Sequence, residues 1–179
     1  GAIKIDDLKD YSKENKIRSL GLCDTTNLCG ALEFAEKISK SGTQPIIGTQ
    51  INFNYNETIG LLPLFALDEI GYKRIIELSS KSYLNNDELS DPHLDLIELL
   101  NKTEGIAIFS GTINGLVGKL FNKGKFKEID ELYKRLQSKF EDRFYIEIQR
   151  HGDQNESSFE NYNLTNSHKF KIPIIATNE

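Results

Sequence analysis

The chain has 179 residues, 38% of them hydrophobic and 27% charged, which is enough apolar material for one globular domain with its own core and excludes a disordered polypeptide. Its net charge of −5 makes the chain as a whole a poor grip for nucleic acid by itself. No apolar run approaches the ~20 residues that cross a bilayer, so no membrane partner is expected. The opening segment Gly1–Asp7 has no apolar stretch of a secretory leader. Cys23 and Cys29 therefore read as reduced thiols of a cytoplasmic protein. Met is absent and the chain ends in a strand-like run, Ile172–Glu179, so both ends read as cut from a longer protein.

Ile5, Leu8 and Tyr11 fall about one helical turn apart and predict an amphipathic helix over 4–15. A short strand over Ile17–Cys23 follows. Asn27 can cap a helix whose inward face is Leu28, Ala31, Leu32, Ala35 and Ile38, ended by Gly42. Pro45–Gly48 reads as one buried strand and Gln50–Tyr55 as a second, followed by a turn at 54–57. The apolar run Ile59–Leu67 predicts a strand buried on both faces. Then come a helix over 68–83 with Ile75 and Leu78 inward, a polar loop over 85–92 and a short helix over Leu94–Leu100. A buried strand over Ile106–Phe109, a helix over 115–122 and a helix over 126–140 follow. In the last of these Ile129, Leu132, Tyr133, Leu136 and Phe140 share one face. Phe144–Ile148 is a strand, 157–169 a helix with Phe159 and Tyr162 inward, and Ile172–Ala176 the final strand. Alternating strands and helices predict a single α/β domain with mainly parallel strands, either an open doubly wound sheet or a closed β/α barrel.

Chemistry in such folds gathers at the carboxyl ends of strands. Asp24 stands at one such end, where a carboxylate can bind a metal, act as a general base, or cap the next helix. Cys23 and Cys29 are spaced too widely for a paired zinc ligand and read as structural thiols. Ser110–Lys119 is a Gly-containing turn between strand and helix, but Ile113 and Leu120 occupy positions where a Walker A loop needs Gly and Ser or Thr. His93 reads as solvated at a helix start, and His168 lies in a Lys-rich helix end, where a cation suits the dipole. His151 follows a strand and precedes Gly152, so it too sits at a strand end.

Several segments in order resemble one family: Cys23–Gly30, Pro45–Gly48, Gly71-Tyr72 with Leu78–Tyr83, Ser110-Gly111, Asp142–Gly152 and Ile174–Asn178. Together they resemble the N-terminal PHP (polymerase and histidinol phosphatase) domains of bacterial DNA polymerase III alpha subunits. The resemblance implies a distorted PHP-type β/α barrel, N-terminally truncated, because the first strand with its His-x-His pair would lie before Gly1. Metal-competent members hold two or three divalent ions in the barrel mouth and hydrolyse phosphoesters.

The ligand set carries over in part. Asp24 and His151 match metal-ligand positions, and Glu179 stands where an Asp is usual. The other positions hold Thr25 for His, Gln50 for Glu, Leu61 for His and Thr112 for Cys. A multi-metal site that loses four ligands is expected to be empty. The expectation is therefore a vestigial set of Asp24, His151 and Glu179, no catalytic residue and no cofactor. Manganese, zinc or magnesium enters only if the chain retains a phosphoesterase or 3′–5′ proofreading site. The resemblance implies a structural and exonuclease-docking module. Its partners would be the other polymerase domains and the proofreading exonuclease subunit. DNA would be held by other domains, and the nucleotidyltransferase chemistry of replication would lie outside this chain.

Overall fold

A computed structural model describes residues 3–84 and 90–178. The elements, in chain order, are α1 (Ile5–Glu14), β1 (Ser19–Thr25), α2 (Ala31–Ser39), β2 (Gln44–Tyr55), β3 (Thr58–Ala66), α3 (Glu69–Leu84), β4 (Leu94–Asp95), α4 (Leu96–Leu100), β5 (Ile106–Phe109), α5 (Leu116–Asn122), α6 (Phe126–Phe140), β6 (Phe144–Ile148), α7 (Glu156–Phe170) and β7 (Ile174–Ala176). A 3₁₀ turn over Glu141–Arg143 joins α6 to β6. The sheet runs β1-β2-β3-β5-β6-β7, with β4 paired to β2 off this path. Only β3 is antiparallel to its neighbours. The sheet curls strongly enough that the charge of Glu147 on β6 reaches Cys23 on β1, four places away in the strand order. The sheet is mainly parallel and curled into a half-barrel, consistent with the distorted β/α barrel that the resemblance implied.

One face of the sheet carries the core. Ile51, Leu62, Leu64, Ile108, Phe144 and Ile146 pack there with Ile75 and Leu78 of α3, Leu116 and Leu120 of α5, and Leu132, Leu136 and Phe140 of α6, all 2% exposed or less. Each such side chain contributes about 1.5–3 kcal/mol of transfer free energy. The opposite, inner face is lined by Phe65, Phe109 and Tyr145, whose rings stack in sequence at 4.6 and 5.7 Å.

Glycines occur where this packing leaves no room for a side chain. A Cβ on Gly48 would lie 2.6 Å from the Phe65 ring, and one on Gly71 would lie 1.7 Å from the Gly105 carbonyl oxygen.

Several boundaries differ from the sequence reading. β2 is one strand of twelve residues and not two, because the ladder to β3 runs unbroken from Gly48 to Tyr55. α2 starts at Ala31, which turns Ala31, Phe34 and Ile38 inward and leaves Leu32 73% exposed. Leu94 and Asp95 pair with β2 as a short strand before α4. Ile59 and Leu67, at the ends of the β3 run, are exposed, so burial on both faces holds only between them. The polar loop predicted over 85–92 lies partly outside the described residues.

β2 outruns β1, and its far end is flanked by β4 at Phe53 and Asn54. Thr25, the last residue of β1, pairs with Gln50, and β5 reaches only the level of Leu64. Residues 51–63 therefore form a β-hairpin arm that continues about 17 Å past the end of β1 at ~3.4 Å per residue. Asn56 and Glu57 close it with φ of 47° and 62°, the left-handed pair that a tight two-residue hairpin needs.

Candidate functional site

The ends of β1, β5, β6 and β7 carry the polar residues. Backbone N–H groups leave the first turn after β1 under tight control. Asp24 Oδ2 accepts the Gly30 N–H at 3.1 Å, just ahead of α2. Asn27 Oδ1 accepts the Cys29 N–H at 2.9 Å, while its amide donates to the Thr25 carbonyl at 2.8 Å. The Thr26 N–H donates to the Gln50 carbonyl at 2.8 Å, and Tyr83 on α3 donates its hydroxyl to the Thr26 carbonyl at 2.9 Å. Thr26 is held at φ 60°, uncommon for a β-branched residue, by these partners on β2 and α3.

Asp24 and Cys23 lie on opposite faces of β1. Asp24 turns towards Gly30 and α2, and Cys23 turns to the inner face, where burial and then the charges of Glu147 and Asp24 push its thiol up. A thiol so raised stays protonated and is a poor nucleophile or metal ligand at neutral pH.

The buried carboxylate of the inner face is Glu147, 4% exposed. Its Oε1 accepts the Gln149 amide at 3.1 Å and the Thr177 hydroxyl, a bond that ties β6 to the end of β7. The Gln149 amide also donates to Thr177 Oγ1 at 2.8 Å. Ser110, fully buried at the end of β5, accepts the Glu147 N–H at 2.9 Å. Behind β6, the Tyr133 hydroxyl donates to Asn163 Oδ1 at 3.1 Å, and burial raises that phenol so that it remains protonated.

His151 is exposed and its Nε2 lies 3.0 Å from Gln149 Oε1. The Glu156 carboxylate accepts the backbone N–H groups of His151 and Gly152 at 2.8 Å each, and these bonds hold its carboxyl below the usual range. Asn114, in the loop after β5, donates to Asp153 at 3.1 Å. The crevice between these loops and α7 has a volume of ≈ 20 Å³, the room of about one water.

Asp24 and His151 are thus each occupied with partners of their own, and nothing described joins them. Glu179, the third predicted ligand, lies outside the described residues. Among the described residues no three His, Cys, Asp or Glu side chains converge as a metal site would require. Asp24 is engaged by a backbone amide, and Thr25, Gln50, Leu61 and Thr112 supply no anionic or imidazole donor. Sequence reading missed Glu147. The alternation of Phe144, Ile146 and Ile148 against Tyr145, Glu147 and Gln149 marked it only as lying on the face away from the core.

A family profile described as PHP domain matches residues 1–151. The chain belongs to the PHP family. Among curated relatives, the DNA polymerase III subunit alpha of Caulobacter vibrioides is 34% identical over all of this chain. Its counterpart in Pasteurella multocida is also 34% identical over all of it, and that in Rickettsia felis is 33% identical over 99%. The PHP chain spans only 15–16% of the length of these relatives. A solved structure assigned as a metal-dependent phosphoesterase from Bifidobacterium adolescentis superposes with a TM-score of 0.61, covering 98% of this chain and 82% of its own at 10% identity. That likeness shows the shared PHP-type fold. Among the described residues no helix is long and apolar enough to cross a membrane.

Proposed function

We propose that this PHP domain is part of a bacterial replicative DNA polymerase, the DNA polymerase III alpha subunit, and acts there as a metal-depleted structural and docking module in the cytoplasm. The observation that carries this reading is the use of Asp24. Its carboxylate accepts the Gly30 N–H at 3.1 Å just ahead of α2, while the other ligand positions implied by the family resemblance hold Thr25, Gln50, Leu61 and Thr112. The polymerase relatives support the parent protein. In this reading the remaining domains of the alpha subunit and the proofreading exonuclease subunit pack against the domain. Other domains hold most of the DNA and perform nucleotidyl transfer.

The test is to add manganese, zinc or magnesium to the chain within its polymerase and assay phosphoester and 3′-end hydrolysis, with metal content measured in parallel. The expected result is no stoichiometric metal and no hydrolysis above background. Hydrolysis abolished by both Asp24→Asn and His151→Ala would overturn the metal-depleted reading. It would assign a divalent-metal phosphoesterase or proofreading site to those residues.

A further inference from the structure

We infer that the tip of the β2–β3 arm, with the α5–α6 turn beside it, is a contact for the phosphate backbone of DNA. The sequence changes character there. Residues 105–127 contain no Asp or Glu, although the chain as a whole has 27 acidic residues against 22 basic ones. The only charged side chains in that stretch are Lys119, Lys123, Lys125 and Lys127.

The fold carries these lysines to one place. α5 packs along the arm, with Leu116 against Gly60. Lys119 Nζ reaches the Ile59 carbonyl at 2.9 Å and Lys123 Nζ reaches Thr58 Oγ1 at 3.2 Å, so both ammonium groups lie at the hairpin tip. Gly124, at φ 68° with open space around it, turns the chain into α6. Lys119, Lys123 and Lys127 are exposed, as is Phe126, whose ring rests on Phe121 and Tyr162 at 5.8 and 5.5 Å. Acids stand near the tip as well: Glu57 lies in the turn, Glu128 pairs with Lys125 at 3.0 Å, Asp95 accepts the Asn54 amide at 3.0 Å, and the charge of Glu131 acts on Tyr55, over whose ring Arg135 lies at 5.8 Å.

The arm projects past the end of β1, on the side where the strand-end residues Asp24 and Ser110 lie. A rigid arm tipped with ammonium groups suits an extended polyanion that runs across that face. Lysines read such a backbone as point charges, without base specificity. The partner's identity as DNA rests on the reading of the chain as part of a DNA polymerase; the cationic tip itself does not.

The test is anisotropy of a fluorescent duplex of about 20 base pairs titrated with the whole polymerase that carries this chain, at about 50 and 200 mM salt. Lys123→Gln/Lys125→Gln/Lys127→Gln is compared with Lys9→Gln/Lys13→Gln/Lys16→Gln, an equal charge change around α1. The tip triple is expected to weaken binding at least about tenfold and to reduce the log–log salt slope by roughly 2–3, at ~0.9 per phosphate neutralised. The α1 triple is expected to stay within about twofold of the parent. Glu57→Lys, which adds a cation at the tip without removing any contact, is expected to tighten binding about threefold or more.

Equal losses in the two triples, or no binding by the parent polymerase, would overturn the inference. So would a polyglutamate peptide that binds the tip while DNA does not, which would reassign it to an acidic protein surface. None of these results bears on metal content or hydrolysis, so the reading of the domain as metal-depleted stands or falls separately.

Discussion

A carboxylate at a strand end can hold a cation or accept a backbone N–H, and the two uses compete for the same lone pairs. Asp24 Oδ2 lies 3.1 Å from the Gly30 nitrogen and satisfies the N–H of the residue that precedes α2. A hydrogen bond of this kind contributes about 0.5–1.5 kcal/mol net, and an isosteric amide keeps an acceptor oxygen. Asp24→Ala is therefore expected to lower the unfolding free energy by ~1 kcal/mol, and Asp24→Asn by only a few tenths. Urea denaturation at neutral pH measures both. An Asn variant as destabilised as Ala would mean that charge, and not the hydrogen bond, is what the site uses. The sequence offered both readings of Asp24 and could not choose, because the choice depends on where Gly30 folds back. Glu147 was less legible still. Its position in an alternating strand places it on the face away from the core, and only the curl that brings β6 towards β1 makes that face an interior.

Among the elements, the sequence was most informative where a single face decides the structure. α6 and β6 have the boundaries that their periodicity predicts, since Ile129, Leu132, Tyr133, Leu136 and Phe140 all reach zero exposure. β2 was read as two strands because Gly48-Thr49 interrupts its apolar run. The structure shows why the interruption is compatible with a continuous ladder: Gly48 leaves the space that the Phe65 ring fills. Leu32 was misplaced because it was grouped with its neighbour Ala31, although adjacent helical residues stand about 100° apart and Ala31, Phe34 and Ile38 form the buried face.

Close backbone contact also explains the Gly71 of the Gly71-Tyr72 pair. The Gly71 N–H is accepted by Asp68 at 2.8 Å, and its α-carbon is pressed against Gly105. A methyl there meets backbone atoms that cannot rotate away, so α3 has to lift from the loop before β5. Gly71→Ala is expected to cost 1–3 kcal/mol or more, as over-packing does. Gly42→Ala, at φ 81° in open space, is expected to cost only about 1 kcal/mol of backbone strain. Thermal melts of the two variants side by side separate steric exclusion from strain; a Gly71→Ala loss no larger than that of Gly42→Ala would sink the packing argument.

At the scale of the molecule, surface carboxylates, Asp6 exposed and Glu77, Glu156 and Glu160 half-buried, link separate elements. Asp6 on α1 bonds Lys37 on α2 at 2.9 Å, Glu77 on α3 bonds Lys102, Glu160 on α7 bonds Arg150, and Glu156 accepts the N–H groups after β6. In each case the first cause of the shift is that hydrogen bond, and the carboxyl is held below its ordinary value. The sign follows from linkage. A folded pKa below the unfolded one gives stability that is complete above the unfolded value and is lost as pH falls through the folded value. The melting temperature is therefore expected to be level from about pH 7 to 5 and to fall as the pH drops below ~4.5. Added salt should screen the Asp6, Glu77 and Glu160 pairs, which are surface charges. It should act less on Glu156, whose partners are neutral amides. Glu156→Gln is consequently expected to blunt the acid transition in high salt more than Asp6→Asn does, read from melting curves at pH 7 and 3.5. A melting temperature that rises on acidification from pH 5 to 3.5 would show that repulsion within a chain of net charge −5, and not these bonds, governs its acid behaviour.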